Sequence, residues 1–385
     1  LAVALQNGVG PDIFKISDIG IDQGAEKGYI IPLTEVAGLE ELIEKNPGNT
    51  AGYNTWQDKL YALQISKTVI GLAYNKDMFV EAGIVDENGE AKPPATISEM
   101  VEDAKILTNA SEQKFGFGFP LGWSGAVVDY YIAGPSQSVS GLIQGAYNYK
   151  TGLFDFSGSK AYAEAYLQMK EDGSLYPGAE SLDNDSARAR FAEGNIGMMM
   201  TAQWDCSVWN DQFPAKCDWG VAAIPVENED TAYQQWADIG FSYVIGSRGI
   251  EEGRENAIAL VFNYLYSDEM MVRRAESGIS IPARADIVDQ CDFSVSPKGW
   301  DEYKKITKIS IDVSYLRKQV DLDGLDNYTT EFINNVWPGN ESVDEWAAQM
   351  TERYNSGAEL YIENASEDVA DIMSTRKDPN LDLSR

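Results

Sequence analysis

The sequence contains no histidine among its 385 residues. Histidine is the side chain whose unperturbed pKa best suits acid–base catalysis near neutral pH, and it is a common zinc ligand. Its absence excludes Ser-His-Asp and Cys-His catalysis, HExxH zinc sites and every other site that needs an imidazole. Paired carboxylates and tyrosine- or aspartate-based sites are still compatible with the composition.

Cysteine is scarce, with only Cys206, Cys217 and Cys291 in the chain. No CxxC pair occurs, which excludes a zinc ribbon and a thioredoxin-like motif. A disulfide between the first two would suit an oxidising exterior, but the sequence does not give their distance. We predict that all three are reduced or structurally incidental, so that adding a reductant leaves ligand affinity unchanged.

Long apolar runs and excess positive charge are also missing. No stretch approaches the roughly 18–20 apolar residues of a membrane span, and the hydrophobic content of 44% is that of a globular chain. The formal net charge of −31 argues against nucleic acid, because phosphate binding needs a basic surface. It also argues against adhesion to an anionic membrane, and its simplest role is solubility.

The length suits two domains rather than one core. Short apolar runs alternate with amphipathic helical stretches along the whole chain. "PDIFKI" and "WGVAAIPV" are typical of buried strands, and this alternation predicts an α/β fold with a mainly parallel sheet. Because no low-complexity linker separates the two halves, we expect two lobes that share several chain crossovers.

Three stretches have the apolar periodicity of helices. "PATISEMVEDAKILTNA" and "ESVDEWAAQMTERYNSGAELY" each begin with a capping box, Thr96 with Glu99 and Ser342 with Glu345. "NAIALVFNYLYSDEMMVRRAES" is predicted as one further helical stretch.

Six blocks of the sequence occur in an order that is typical of one family. They are "LQNGVGPDIFKISD", "DKLYALQISKTVIGLAYNKDMFVEAGI", "PPATISEMVEDAKILT", "ARARFAEGNIGMMMTAQWD", "DWGVAAIPV" and "NESVDEWAAQM". From Leu1 to about Leu360 the chain resembles the extracellular solute-binding proteins of ABC importers, and within them the sugar-binding group that includes maltodextrin-binding proteins. Each block alone is a weak signal, and the ordered set is a strong one.

This resemblance implies a periplasmic-binding-protein-like fold, in which two lobes are joined by hinge strands and the ligand binds in the cleft between them. We expect residues 1–66 and 240–290 to form the first lobe, and residues 67–239 and 291–385 the second. The implied protein is not an enzyme, needs no cofactor or metal, and acts as a monomer. Its implied partners are a carbohydrate and the transmembrane permease of the importer.

One departure from the family concerns the start of the chain. Family members carry a strand, a helix and a strand before the "GPDIF" block, and these elements are absent here. A parallel sheet without them would expose a strand edge. We therefore expect a longer precursor with a secretory signal and a lipid-anchored cysteine, located outside the cytoplasmic membrane or in the periplasm.

The stretch "NIGMMMTAQWDC" carries the strongest candidate site. Sugar hydroxyls suit carboxylates and amides, while the C–H faces of pyranose rings suit flat aromatic side chains. The methionines, residues 198–200, are assigned to a buried strand. Trp204 stands where the family places a stacking tryptophan, although it could also be the last residue of a core. Asp205 could reach a sugar hydroxyl or fix the loop.

The resemblance points to further candidate positions, each with a structural alternative. Trp123 lies in a Gly-rich loop at the place of a family aromatic platform, and Asp18 follows a strand but could cap a helix. The remaining candidates lie near expected lobe crossovers or in the "DLDGLD" segment; they are Lys67, Trp236, Asp238, Asp323 and Asp326. That segment could also be a turn or a weak calcium loop, although it lacks EF-hand spacing.

Two adjacent tyrosines, Tyr130 and Tyr131, resemble a feature of ferric-ion-binding proteins of related fold. Here they follow Val127 and Val128 in a predicted helix, so we interpret them as packing residues. The sequence thus predicts a receptor that closes like a hinge around an oligosaccharide. Two alternatives stay open: a binder of polyamine, peptide or metal, and a glycosidase with two carboxylates.

Overall fold

The computed structural model describes residues 1–16, 20–46, 54–123, 125–240, 242–313, 316–365 and 369–385. Its strands are β1 Ile13–Lys15, β2 Thr55–Trp56, β3 Lys59–Leu60, β4 Leu63–Gln64, β5 Ser66–Asn75, β6 Phe115–Phe117, β7 Tyr147–Asn148, β8 Leu153–Phe154, β9 Ile196–Ala202, β10 Trp219–Ala222, β11 Gln235–Ile239, β12 Ser242–Ile245, β13 Ile281–Pro282 and β14 Ser310–Ile311.

The α-helices are α1 Ala2–Gln6, α2 Ile21–Glu26, α3 Glu40–Lys45, α4 Lys76–Glu81, α5 Ile97–Leu107, α6 Gly134–Ser140, α7 Lys160–Asp172, α8 Asn184–Ala192, α9 Asp205–Ser207, α10 Ser247–Glu251, α11 Glu255–Leu265, α12 Asp268–Glu276, α13 Ala285–Gln290, α14 Trp300–Thr307, α15 Tyr328–Glu331, α16 Val343–Asn364 and α17 Val369–Thr375. Short π-helical turns span Asp129–Ala133, Val208–Gln212 and Phe332–Val336. Across the described ranges, no helix combines the length and apolar character that a membrane span requires.

The backbone contacts divide the chain into two compact units. Unit 1 comprises Leu1–Thr68 and Asp238–Ser296, and unit 2 comprises Val69–Ala237 and Pro297–Arg385. The chain passes from one unit to the other within β5, within β11 and just after Ser296.

Unit 1 contains a three-stranded sheet in the order β1-β12-β4. β12 is antiparallel to both neighbours, and Phe14 of β1 lies opposite Val244. Both side chains belong to an apolar cluster that also includes Leu5, Ile21 and Tyr61. The strand predicted for "PDIFKI" is thus confirmed as β1.

Unit 2 is built on a larger sheet in the order β14-β11-β5-β9-β6, with β10 paired to β5. All seven residues of β9 are buried, because this strand lies between β5 and β6 and is covered on both faces. The prediction that the methionines at 198–200 belong to the core is confirmed. The second predicted strand, "WGVAAIPV", begins with β10.

The sheet of unit 2 is mixed, so the prediction of a mainly parallel sheet is wrong in this respect. β6 and β9 are parallel to each other, but β5 runs antiparallel to both β9 and β10. Two successive strands are parallel when a helix between them carries the chain back to the end of the sheet where the first strand began. Alternation of strands and helices predicts strand direction only when that helix belongs to the same unit. β5 instead arrives from unit 1, and it therefore enters this sheet in the opposite direction.

The two predicted capping boxes are present at the starts of α5 and α16. The third predicted helical stretch is divided into α11 and α12. Ser267 interrupts it, because its side chain accepts a hydrogen bond from the backbone N–H of Met270 at 3.2 Å and caps a new helix. Asp268 and Glu269 follow in the first turn of α12, where acidic residues complement the helix dipole.

The three cysteines are free, as predicted. Cys206 and Cys291 are buried, and Cys217 is half-buried. Burial raises the pKa of the Cys217 thiol to about 11. A thiol with so high a pKa is almost entirely protonated at neutral pH and therefore a poor nucleophile.

Asp103 on α5 is buried, and its carboxyl has an elevated pKa of about 6, caused first by desolvation and then by Glu99 and Glu102. The folded-state pKa lies above the ordinary value of 3.8, so the ionised carboxylate destabilises the folded protein. This loss of stability is absent below about pH 4, grows between about pH 4 and pH 6, and is complete at pH 7. Asp103→Asn should therefore raise the free energy of unfolding at pH 7, by about 1–2 kcal/mol after allowance for solvent screening.

Urea unfolding at pH 7 and pH 4 measures this difference. The exposed carboxylate of Glu171 on α7 provides the control, and Glu171→Gln should change stability little at either pH. If Asp103→Asn raised the free energy of unfolding equally at pH 7 and pH 4, ionisation of Asp103 would not be the cause of the gain.

Candidate functional site

Three tryptophan side chains of unit 2 pack around Tyr130. Trp123 stacks on Tyr130 with ring centroids 5.3 Å apart, and Trp204 and Trp236 meet Tyr130 edge-on at 5.7 and 5.5 Å. We refer to these four residues, Trp123, Tyr130, Trp204 and Trp236, as the aromatic group. Such offset and edge-to-face contacts are the arrangements that aromatic quadrupoles favour.

Each member of the aromatic group comes from a different part of the chain. Trp123 lies in the loop after β6, Tyr130 in the π-helical turn Asp129–Ala133, Trp204 in the turn between β9 and α9, and Trp236 in β11. The backbone N–H of Val127 donates to the Trp123 carbonyl at 3.0 Å. Local backbone structure thus presents each ring.

The members differ in exposure, which separates their roles. Trp123, Tyr130 and Trp204 are half-buried and pack against the core with one part of each ring. Trp236 is only 5% exposed and belongs to the core itself. It is accommodated by Gly134, where a Cβ atom would lie 2.4 Å from the Trp236 ring. Trp236 is therefore a core residue that packs against the rest of the group, and the rings of the other three are partly exposed to solvent.

Asp205 follows Trp204 and is buried, with 3% exposure. Its Oδ2 accepts hydrogen bonds from Thr201 Oγ1 at 2.9 Å and from the Ala202 N–H at 3.0 Å, and its Oδ1 lies 2.5 Å from Arg188 Nη2. Burial raises the pKa of the Asp205 carboxyl, against the opposing effects of Arg188 and the two hydrogen bonds. Both oxygens are engaged within unit 2. Of the two predicted roles for Asp205, the structure favours fixing the turn.

A small pocket lies beside Trp204. Its free volume is about 10 Å³, roughly the room needed for one water. The pocket is therefore too small to enclose a ligand of more than a few atoms. The pocket is lined by Trp123, Tyr130, Tyr131, Asn184, Met200, Thr201, Ala202, Trp204 and Asp205.

Two residues of this site were missed by the sequence analysis. The prediction of packing holds for both tyrosines, but Tyr130 is only half-buried, whereas Tyr131 is fully buried and its hydroxyl donates to the Met200 carbonyl at 3.1 Å. Asn184 is half-buried at the start of α8, and among the described residues its amide has no hydrogen-bond partner. No local pattern marked it.

Three other predicted site residues belong to unit 1 or lie outside the described residues. Lys67 is half-buried on β5, where it pairs with Ile281 of β13. Asp238 Oδ1 accepts a hydrogen bond from the N–H of Ile239 at 2.8 Å. Asp18 lies outside the described residues. Ligand contact by these residues stays a prediction.

Asp323 and Asp326 are exposed on a loop of unit 2. Asp323 has a left-handed backbone, with φ of 49°, and lines a surface depression with Leu325 and Arg353. The Asp326 carbonyl accepts a hydrogen bond from Arg353 Nη1 at 2.5 Å. These features fit the alternative of a turn, and ligand contact stays a prediction. Over the described ranges, no group of three or more Cys, Asp or Glu side chains is arranged to hold a metal ion.

Half-exposed aromatic rings grouped on one surface of unit 2 are a feature that many ligand-binding sites share. The sequence matches the family of bacterial extracellular solute-binding proteins over residues 1–308, and the chain therefore belongs to this family. Its members are binding proteins rather than enzymes. The predicted family and the α/β solute-binding fold are confirmed.

Similar proteins from several organisms support this membership. A binding protein of Brucella abortus (strain 2308) is 24% identical over 278 residues, 68% of this chain and 64% of that protein, so the chain spans somewhat less than two thirds of that relative's length. The maltotriose-binding protein of Pyrococcus abyssi is 24% identical over 229 residues, 58% of this chain and 44% of that protein. The GacH receptor of Streptomyces glaucescens, solved unliganded and with acarbose, shares the fold at a TM-score of 0.65 and 16% identity, covering 92% of this chain and 85% of that one.

Proposed function

We propose that this protein is an extracellular receptor that binds a carbohydrate, in particular an oligosaccharide, and delivers it to the permease of an ABC importer. The observation that carries the proposal is the aromatic group, in which Trp123, Tyr130 and Trp204 offer half-exposed rings on one surface of unit 2. The apolar C–H face of a pyranose packs well on such rings, and several rings suit several sugar units.

Polar groups beside these rings complete the chemistry that a sugar needs. The Asn184 amide lines the same pocket as Trp204 and can donate to one hydroxyl and accept from another. A ligand without hydrogen-bonding groups would leave this amide unpaired when it covered the site, and that costs free energy. The proposed selectivity for sugars therefore rests on Asn184 together with the rings.

The similar proteins support a saccharide-like ligand and transport as its purpose. One relative is a maltotriose-binding protein, and the Streptomyces receptor was solved with acarbose. The proposal includes the predicted lobes, with units 1 and 2 closing around the ligand by a hinge motion. It also includes Asp18, Lys67, Asp238, Asp323 and Asp326 as further ligand contacts. Attachment to the membrane through a lipid is part of the proposal and rests on the family resemblance alone.

A thermal-shift panel tests the proposed ligand class. It comprises maltotriose, xylotriose, chitotriose, spermidine and Fe³⁺, each added to the ligand-free protein. A bound ligand stabilises the folded state by RT ln(1 + [L]/Kd), so one present at about 100 times its Kd should add roughly 2.7 kcal/mol. We expect at least one trisaccharide to raise the melting temperature, and spermidine and iron to leave it unchanged.

Selective stabilisation by spermidine or iron would replace the carbohydrate assignment with one of the alternatives. A trisaccharide that is hydrolysed during incubation would restore the glycosidase alternative, and chromatography of the recovered sugar detects this. A stabilising sugar recovered intact would support a receptor.

A further inference from the structure

The turn that carries Trp204 is braced by an ion pair between Arg188 and Asp205. The guanidinium comes from α8 and the carboxylate from the first residue of α9, with Nη2 and Oδ1 2.5 Å apart. Their side chains are only 13% and 4% exposed. Arg188 is also tied to its own helix, because Nη1 lies 2.9 Å from the exposed Asp185. The pair thus joins two elements of unit 2 at the residue next to the ring.

The residue before Trp204 is fixed as firmly as the residue after it. Gln203 Oε1 accepts a hydrogen bond from the Val69 N–H at 2.8 Å, which ties the turn to β5. Asp205 Oδ2 accepts from Thr201 and from the Ala202 N–H, which ties the turn to the end of β9. Trp204 therefore stands between two buried polar anchors, while its own ring is half-exposed.

Stability alone does not account for a buried ion pair at this place. The cost of removing two charges from water often equals or exceeds their attraction, so well-packed apolar residues can stabilise a fold equally well. What these contacts add is a fixed position for the carboxylate, because Oδ1 lies 2.5 Å from Arg188 Nη2 while Oδ2 accepts two hydrogen bonds. The carboxylate is thus held on both sides, one residue away from the Trp204 ring.

We propose that Arg188 and Asp205 are positioning residues of the binding site: they hold Trp204 at its edge-on contact with Tyr130 before any ligand arrives. This inference rests on the proposed function for its effect on sugar binding, but the positioning itself is a property of the ligand-free protein. A ring that is already ordered loses little conformational freedom when a ligand stacks on it, and affinity rises accordingly.

Variants of Arg188 test the effect on binding. Arg188→Ala should raise the Kd of the trisaccharide selected by the panel about 10-fold, because Trp204 must then be ordered at the cost of binding energy. Arg188→Lys restores a cation and should recover part of this loss. Arg190→Ala is the matched control, since Arg190 is an exposed arginine on the same helix. Calorimetric titration gives each Kd.

A spectroscopic readout tests the positioning without any ligand. In protein labelled with 5-fluorotryptophan, the ¹⁹F resonance of Trp204 is identified by its loss in Trp204→Phe. We expect this resonance to shift or broaden in Arg188→Ala, while that of the buried Trp346 stays unchanged and Arg190→Ala matches the wild type. If Arg188→Ala does not fold, the double variant Arg188→Met with Asp205→Leu is measured instead, because it removes both charges of the ion pair.

The Kd values and the ¹⁹F resonances together distinguish the positioning role of Arg188 and Asp205 from the proposed function. An altered Trp204 resonance in a protein that binds none of the trisaccharides would support positioning and contradict the proposed function. An unaltered resonance together with an unchanged Kd would overturn positioning and leave the function intact. A general loss of structure would move the Trp346 resonance as well and would also count against a positioning role.

Discussion

Replacing Trp204 by alanine is expected to weaken trisaccharide binding about 10- to 150-fold, because a large apolar side chain contributes about 1.5–3 kcal/mol when a ligand covers it. The ligand-free variant should melt within a few degrees of the wild type. The Trp204 ring is half-exposed, and the contacts that hold its turn are made by Gln203 and Asp205 rather than by the indole. Calorimetric titration and ligand-free melting on one variant measure both quantities.

The control for this experiment is Trp204→Phe, which keeps a flat ring of smaller area and should lose only part of the affinity. A Trp204→Ala protein that melts far below the wild type yet binds normally while folded would show that Trp204 is a core residue. The central assignment of the site would then be wrong, since no other member of the aromatic group combines half-exposure with so defined a turn.

Local patterns in the sequence were sufficient for much of the fold. The methionines at 198–200 predicted a buried strand, which is β9, and the capping boxes at Thr96 and Ser342 located the starts of α5 and α16. Each of these signals lies within a few neighbouring residues. Their physical basis is equally local, namely burial of a strand and pairing of the free N–H groups at a helix start.

Strand direction could not be predicted in the same way. β5 runs against β9 and β10 because the chain enters unit 2 from unit 1. The residue pattern of 66–75 is the same as that of a strand that follows a helix of the same unit, so the pattern does not reveal the direction of β5. Direction is decided by where the chain comes from, which is a property of the whole fold.

The candidate site shows the same limit. Its rings come from positions between 123 and 236, and they meet only because β6, β9 and β11 belong to one sheet. The resemblance to a family supplied Trp123, Trp204 and Trp236. It did not supply Tyr130, the ring on which the others converge, because two adjacent tyrosines in a helix are usually explained by packing.

The chemistry of Asp205 was also open from sequence alone. An acidic residue beside a stacking tryptophan suits a sugar hydroxyl equally well as an internal partner. The ion pair with Arg188 favours the internal role, and Arg188 lies 17 residues earlier on another helix. A carboxylate with such a partner is less costly to bury than an isolated one, and both oxygens of Asp205 have partners within unit 2.

Trp346 offers the opposite case within unit 2, and Trp346→Ala should lower the free energy of unfolding by about 3–5 kcal/mol. Its ring on α16 is fully buried against Phe156 and Phe332, with centroids 6.0 and 5.7 Å away, and its Nε1 donates to the Tyr328 carbonyl at 3.3 Å. Alanine would leave a cavity among these rings and remove the hydrogen bond that Nε1 donates. We expect a melting temperature lower by about 10 °C or more.

Affinity for the selected trisaccharide, titrated well below that melting temperature, should stay within about twofold of the wild type, because Trp346 lies in the core and offers no surface to a ligand. Trp346→Phe keeps most of the packing and should lose less stability. Together with Trp204→Ala, this variant separates the two roles that a tryptophan can have in unit 2: loss of stability without loss of affinity at position 346, and the reverse at position 204. A fall in affinity for folded Trp346→Ala as large as that for Trp204→Ala would contradict this division, because it would mean that the aromatic group depends on the packing of the whole unit rather than on its own turns.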